Sequence, residues 1–98
     1  MTIYENDEII SDEAIAQNLA KALKALRKHK GYSLQKVSEG TAIPFQTIAR
    51  YESGENVPSV IQAYKLACFY QFPLNDIFLL GATDGIEDDY AEILDAWK

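Results

Sequence analysis

The sequence predicts an all-α fold, and three observations carry that expectation. Apolar residues recur at helical spacing in successive segments, and each segment is opened by a capping residue or proline and closed by glycine or proline. No run alternates for long enough, beside a second such run, to build a sheet. The stretch from Gly31 to Gly54 reads as two helices of about two turns each, too short to stand alone in water, so the rest of the chain must clamp them.

The elements follow in order. Residues 1–10 form an acidic N-terminal arm, extended and without a strong partner strand. Ser11 caps the first helix, with Asp12 and Glu13 in the turn where the helix dipole favours carboxylates. Ile15, Leu19, Ala22, Leu23 and Leu26 make its apolar stripe, Lys28-His29-Lys30 suit its C-terminus, and Gly31 ends it. The second helix, Leu34 to Glu39, is capped by Ser33 and stapled by Tyr32 and Val37. A turn over Gly40-Thr41-Ala42 follows. The third helix, Phe45 to Ser53, starts at Pro44 with Ile43 and Ile48 as its staple, and stops at Gly54.

Ser59 caps a fourth helix, whose inner face carries Val60, Ala63, Leu66, Ala67 and Tyr70. Pro73 breaks the pattern after Phe72. The fifth helix, Leu74 to Leu80, turns Leu74, Ile77 and Phe78 inward and is closed by Gly81. After a linker at 82–85, Ile86, Tyr90, Ile93, Leu94 and Trp97 form a last amphipathic stripe opposed by Asp88, Asp89, Glu92 and Asp95. This divides the chain into the arm 1–10, a main domain 11–81 and an acidic C-terminal helix 82–98.

Ninety-eight residues with 48% apolar content suffice for one domain with its own core. The net charge of −6 hides a segregation. Residues 1–15 hold five acids and no base. Residues 16–72 hold eight bases against three acids, and residues 73–98 hold seven acids against Lys98. A basic middle lies between acidic ends. One cysteine, Cys68, rules out an internal disulfide and suits a reducing cytosol. With no signal peptide and no apolar run long enough to span a bilayer, a cytoplasmic protein without membrane association is expected. Neither His29, read as a helix-end cation, nor Cys68, read as a packing residue, has a catalytic partner. No enzyme activity, metal site or cofactor is expected.

The order and spacing from Ala16 to Leu80 resemble the Xre/Cro-like (lambda-repressor-like) helix-turn-helix family. The match rests on Arg27, Ser33-Leu34-Gln35-Lys36-Val37, Ile43, Ile48, Glu52-Ser53-Gly54, Pro58-Ser59, Leu66-Ala67 and the closing Leu74 to Leu80. The resemblance implies an all-α, five-helix, lambda-repressor-like DNA-binding domain, with the helix-turn-helix at helices two and three. It implies a structural ion pair between Arg27 and Glu52. It also implies that helix three reads the major groove of double-stranded DNA through Phe45, Gln46, Ala49 and Arg50. The free N–H groups at Leu34 and Gln35, with Lys36, Thr47 and Asn56, are expected at phosphates.

Family operators are usually inverted repeats read by dimers. A homodimer is therefore expected, through Phe78, Leu79 and Leu80 or through Ile86, Tyr90, Ile93, Leu94 and Trp97. The implied function is sequence-specific transcriptional regulation by a small repressor. The competing reading is a helix-turn-helix fold that binds a protein partner, antitoxin-like or anti-repressor, with weak or no DNA binding. The chain departs from the family pattern at Ala42 and Gln71, where glycine is usual, at Ser38 in place of a common alanine, and at Glu55 in a loop that is often basic. Fewer phosphate contacts and a modest salt dependence follow from Glu55.

Overall fold

In the order of the chain, two short strands, β1 (Tyr4–Glu5) and β2 (Glu8–Ile9), precede five helices, α1 (Asp12–Lys30), α2 (Leu34–Thr41), α3 (Phe45–Ser53), α4 (Val60–Tyr70) and α5 (Leu74–Gly81). The structure, a computed structural model, describes residues 4–5, 8–9 and 11–81. The helices make the fold all-α. The arm is its own partner strand: β1 and β2 pair antiparallel, Tyr4 with Ile9 and Glu5 with Glu8. The intervening Asn6-Asp7 is turn-forming in type, a short-range signal that the expectation of an unpartnered arm passed over.

Local chemistry sets the helix starts. The hydroxyls of Ser11, Ser33 and Ser59 accept hydrogen bonds from the N–H groups of Ala14, Lys36 and Gln62. Each satisfies one donor that the first helical turn leaves open. Gly31 and Gly54 close α1 and α3 in the left-handed region.

α1 packs most extensively on α5 and then on α3, while α2 lies between α3 and α4. Leu23 and Leu26 of α1, Val37 of α2, Ile48 of α3, Leu66 and Tyr70 of α4 and Ile77 of α5 meet in one core. Burying a side chain of this kind contributes roughly 1.5–3 kcal/mol. The short α2 and α3 are held by this packing rather than by helix propensity.

Three expectations need correction. α2 runs two residues past Glu39, through Gly40 and Thr41, because Gly40 is a contact residue rather than a turn residue. A β-carbon there would overlap the ring of Phe69 on α4. Thr41 is buried, donates its hydroxyl to the Val37 carbonyl (2.8 Å) and accepts from the Ile43 N–H (3.3 Å). Val60, expected on the inner face of α4, is 74% exposed. It lies one turn ahead of Ala63, beyond the edge of the core, where the buried Pro58 takes the inner place. Cys68 is exposed rather than packed, since it lies off the face shared by Ala63, Ala67 and Tyr70.

Candidate nucleic-acid interface

The α2–α3 pair is joined by Ala42, Ile43 and Pro44. Ala42 takes the left-handed conformation (φ 62°, ψ 21°), and its N–H closes α2 on the Ser38 carbonyl at 2.9 Å. A residue with a β-carbon is strained there by roughly 1–2 kcal/mol. Gln71 sits in the same region at the end of α4 (φ 56°). The staple residues Ile43 and Ile48 are each 1% exposed, which fixes the angle at which the chain enters α3.

α3 divides cleanly by face. Ile48 and Tyr51 are buried, whereas Phe45 is 45% exposed and Gln46 and Arg50 are open to solvent. Thr47 and Ala49 are half-buried between the two faces. Pro44 has no side-chain acceptor, so α3 begins without a side-chain cap, its carbonyl accepting from Thr47 and Ile48. The first N–H groups of α3 therefore join those of α2 as open donors. This feature was readable in the sequence from Pro44 at the capping position, yet the sequence reading placed open donors on α2 alone.

At the start of α2, Ser33 caps the Lys36 N–H, leaving Leu34 and Gln35 as first-turn residues with no intrahelical acceptor for their N–H groups. Leu34 is half-buried against the core, while Gln35 and Lys36 are exposed. The Gln35 side-chain amide donates to Glu39 at 3.2 Å. At the other end of the pair, the Arg50 carbonyl accepts from the Asn56 N–H (3.2 Å) and the Ser53 hydroxyl (3.0 Å). Asn56 is thereby held beside the end of α3 with its side chain exposed. The Arg50 guanidinium lies 4.0 Å from the Glu55 carboxylate, both well exposed. In water such a pair is worth little, so Arg50 stays available to another anion.

α3 is tied to α1 by a fork. Arg27 donates from Nε to Glu52 Oε2 (2.8 Å), from Nη2 to Oε1 (3.0 Å) and from Nη1 to the Tyr32 carbonyl (3.0 Å). The Arg27 side chain is 17% exposed and that of Glu52 6%. The hydrogen bond to Glu52 raises the Arg27 pKa above its ordinary value, against the opposing effect of burial. Tyr70 lies within the field of this pair. Its hydroxyl is buried without a hydrogen-bond partner among the described residues, and burial, reinforced by the Glu52 charge, pushes its pKa up.

The remaining expected residues fall elsewhere. Leu80 is buried in the core of its own chain, and Phe78 is half-buried against it. Leu79 belongs to α5. Ile86, Tyr90, Ile93, Leu94 and Trp97 lie outside the described residues. The sequence reading missed an exposed apolar patch on the connector after α3 and the outer side of α4, formed by Val57 (61% exposed), Val60, Ile61 (67%) and Tyr64 (62%). Four large apolar residues within eight positions, off the inner face of α4, were the available signal. Among the described residues no group of side chains could hold a metal ion, and no helix is long and apolar enough to cross a membrane.

Comparison with known proteins agrees with this architecture. The chain is 36% identical over 58 residues to the Uncharacterized HTH-type transcriptional regulator YgzD of Bacillus subtilis, covering 59% of this chain and 88% of that protein. It is 30% identical over 63 residues to the HTH-type transcriptional regulator SutR of Escherichia coli, covering 64% of this chain but only 35% of SutR. Among solved structures, an HTH_3 family transcriptional regulator from Vibrio cholerae superposes with a TM-score of 0.63 at 27% identity, over 82% of this chain and 48% of that one. The model of the helix-turn-helix family HTH_3 matches residues 23–77. With more than half of its length matched, and its turn, staple and α1–α3 fork on the page, the chain belongs to the helix-turn-helix family, a non-enzymatic, DNA-binding class.

Proposed function

We propose that this protein is a sequence-specific DNA-binding transcriptional regulator, a small cytoplasmic repressor that lays α3 in the major groove. The observation that carries the reading is the division of α3: Ile48 and Tyr51 hold it in the core while Phe45, Gln46 and Arg50 remain open. Gln46 suits adenine, Arg50 suits the O6 and N7 of guanine, and Phe45 and Ala49 suit a thymine methyl. The open N–H groups at Leu34 and Gln35, with Lys36, Thr47 and Asn56, suit phosphate oxygens.

An inverted-repeat operator calls for two copies. The patch of Val57, Val60, Ile61 and Tyr64 suits the second copy better than Leu80, which the core already covers. Val57 follows the end of α3 by four residues, so pairing at this patch fixes the separation of two reading helices. Family dimers set that separation near one helical turn of DNA, about 34–36 Å.

Selection of bound sequences from a random DNA pool, followed by gel shift on the selected site, tests the proposal. Arg50→Ala and Gln46→Ala should each lose about 1–3 kcal/mol of discrimination, roughly 5- to 150-fold, at one base position. Selection that returns no site, or unchanged binding by folded variants, refutes the reading. The same apolar patch supports a second reading, a module for a protein partner, which predicts no selected site at all.

A further inference from the structure

Across residues 31–59, which hold α2, α3 and the connector after them, the exposed charged side chains are Lys36 and Arg50 against Glu39 and Glu55. Glu52, the remaining charge of this stretch, is committed to Arg27. The reading face therefore has no net charge of its own, although neutralising phosphates supplies essentially all non-specific affinity for DNA. One of the two exposed acids stands beside a candidate base-reading side chain: Glu55 Oε2 lies 4.0 Å from Arg50 Nε.

The connector keeps it there. The Arg50 carbonyl accepts from the Ser53 hydroxyl (3.0 Å) and the Asn56 N–H (3.2 Å), and the Ser53 oxygen accepts from the Glu55 N–H (3.3 Å). Gly54 makes the intervening turn in the left-handed region (φ 82°), and a β-carbon there would meet Gln17 Nε2 of α1 at 3.0 Å. The Glu55 backbone is thus tied to the residue whose side chain it faces. The ion pair itself is loose. At 4.0 Å it exceeds hydrogen-bond length, unlike the Arg27–Glu52 fork at 2.8 Å. A carboxylate on the Nε side also leaves the Nη1 and Nη2 edge free to span O6 and N7 of guanine.

We propose that Glu55 is a positioning residue that directs Arg50 to a base rather than to the backbone, an inference that rests on the DNA-binding reading. Away from its site, Arg50 would otherwise turn to the nearest phosphate. Glu55 offers the guanidinium a nearer anion and repels that phosphate. On guanine, two hydrogen bonds to O6 and N7 outcompete an exposed pair that is worth little. Glu55 therefore lowers non-specific affinity more than specific affinity, which is discrimination by a repulsive element.

Glu55→Gln tests this, because it keeps the side chain's size and removes its charge at a position 69% exposed. Binding of the full chain is measured by fluorescence anisotropy on the selected site, on single-base variants of it and on scrambled duplex. On scrambled duplex Glu55→Gln should bind roughly three- to sixfold tighter, the effect of one like-charge contact at close range in water. Its slope of log K against log salt should be steeper by about 0.9. The penalty for replacing the guanine at which Arg50→Ala loses discrimination should shrink by a similar factor. Glu39→Gln makes the same charge change on α2, beside Gln35 instead of Arg50, and should leave that penalty at the wild-type value. An undiminished guanine penalty in Glu55→Gln overturns the inference and leaves DNA binding intact. So does an equal loss in Glu39→Gln, which reduces the effect to net charge. Lost preference at a second position overturns it too, by making Glu55 a reader of cytosine N4 in its own right. A wild-type chain that selects no site overturns the DNA-binding reading and this inference together.

Discussion

Replacing both members of the Arg27–Glu52 fork should be far less harmful than replacing either one. Three hydrogen bonds converge on the Arg27 guanidinium, and the Glu52 side chain is only 6% exposed. Arg27→Met therefore strands a carboxylate away from water, and Glu52→Leu strands a guanidinium. Breaking one partner of such a buried pair costs about 3–5 kcal/mol, a fifth or more of the roughly 5–15 kcal/mol that holds a domain together. The double variant Arg27→Met, Glu52→Leu leaves no uncompensated charge, and apolar packing of similar volume replaces the fork. It should recover about 3 kcal/mol relative to the worse single variant. Urea unfolding followed by far-UV circular dichroism, on all four proteins at neutral pH, gives the cycle directly. A double variant that loses the sum of the two single losses would refute the reasoning, because the two groups would then act independently.

Two further outcomes follow from the backbone and from Tyr70. Ala42→Gly relieves the left-handed strain but frees the unfolded chain, and the balance is a gain of about 0.5–1 kcal/mol. It is visible as a raised urea midpoint with an unchanged slope, and a lowered midpoint contradicts it. Tyr70→Phe removes a buried hydroxyl that has no partner among the described residues and should gain about 1 kcal/mol at neutral pH. Because folding raises the Tyr70 pKa, its contribution is intact below about pH 10, where the unfolded phenol titrates, and is lost above it by up to about 1.4 kcal/mol per pH unit. The wild-type curve minus the Tyr70→Phe curve should show that alkaline slope; parallel curves contradict the assignment.

What the sequence made legible was local. Ser11, Ser33 and Ser59 announce helix starts because a cap needs only its own next three residues, and the Ile43–Ile48 staple is equally short in range. The features that escaped depend on distant partners. Gly40 looks like a turn residue until Phe69, twenty-nine positions later, lies across it. Val60 and Cys68 fit a generously drawn helical stripe, but the limits of the core are set by where α2 and α5 stop covering α4. At the candidate interface, the open face of Gln46 and Arg50 was readable from spacing. The open α3 N-terminus and the patch after Gly54 required knowing which side of each element the fold leaves uncovered.

The ring of Phe69 against Gly40, with the Tyr32 ring 5.4 Å from it, bears on how this sequence can drift. Enlarging position 40 requires the Phe69 ring to move or to shrink, so the two sites are coupled although one belongs to the reading module and the other to its support. Grafting the α2–α3 segment onto a related scaffold therefore carries a hidden requirement: the host must supply the same flat aromatic beneath a glycine, or the transplanted module will sit at the wrong height.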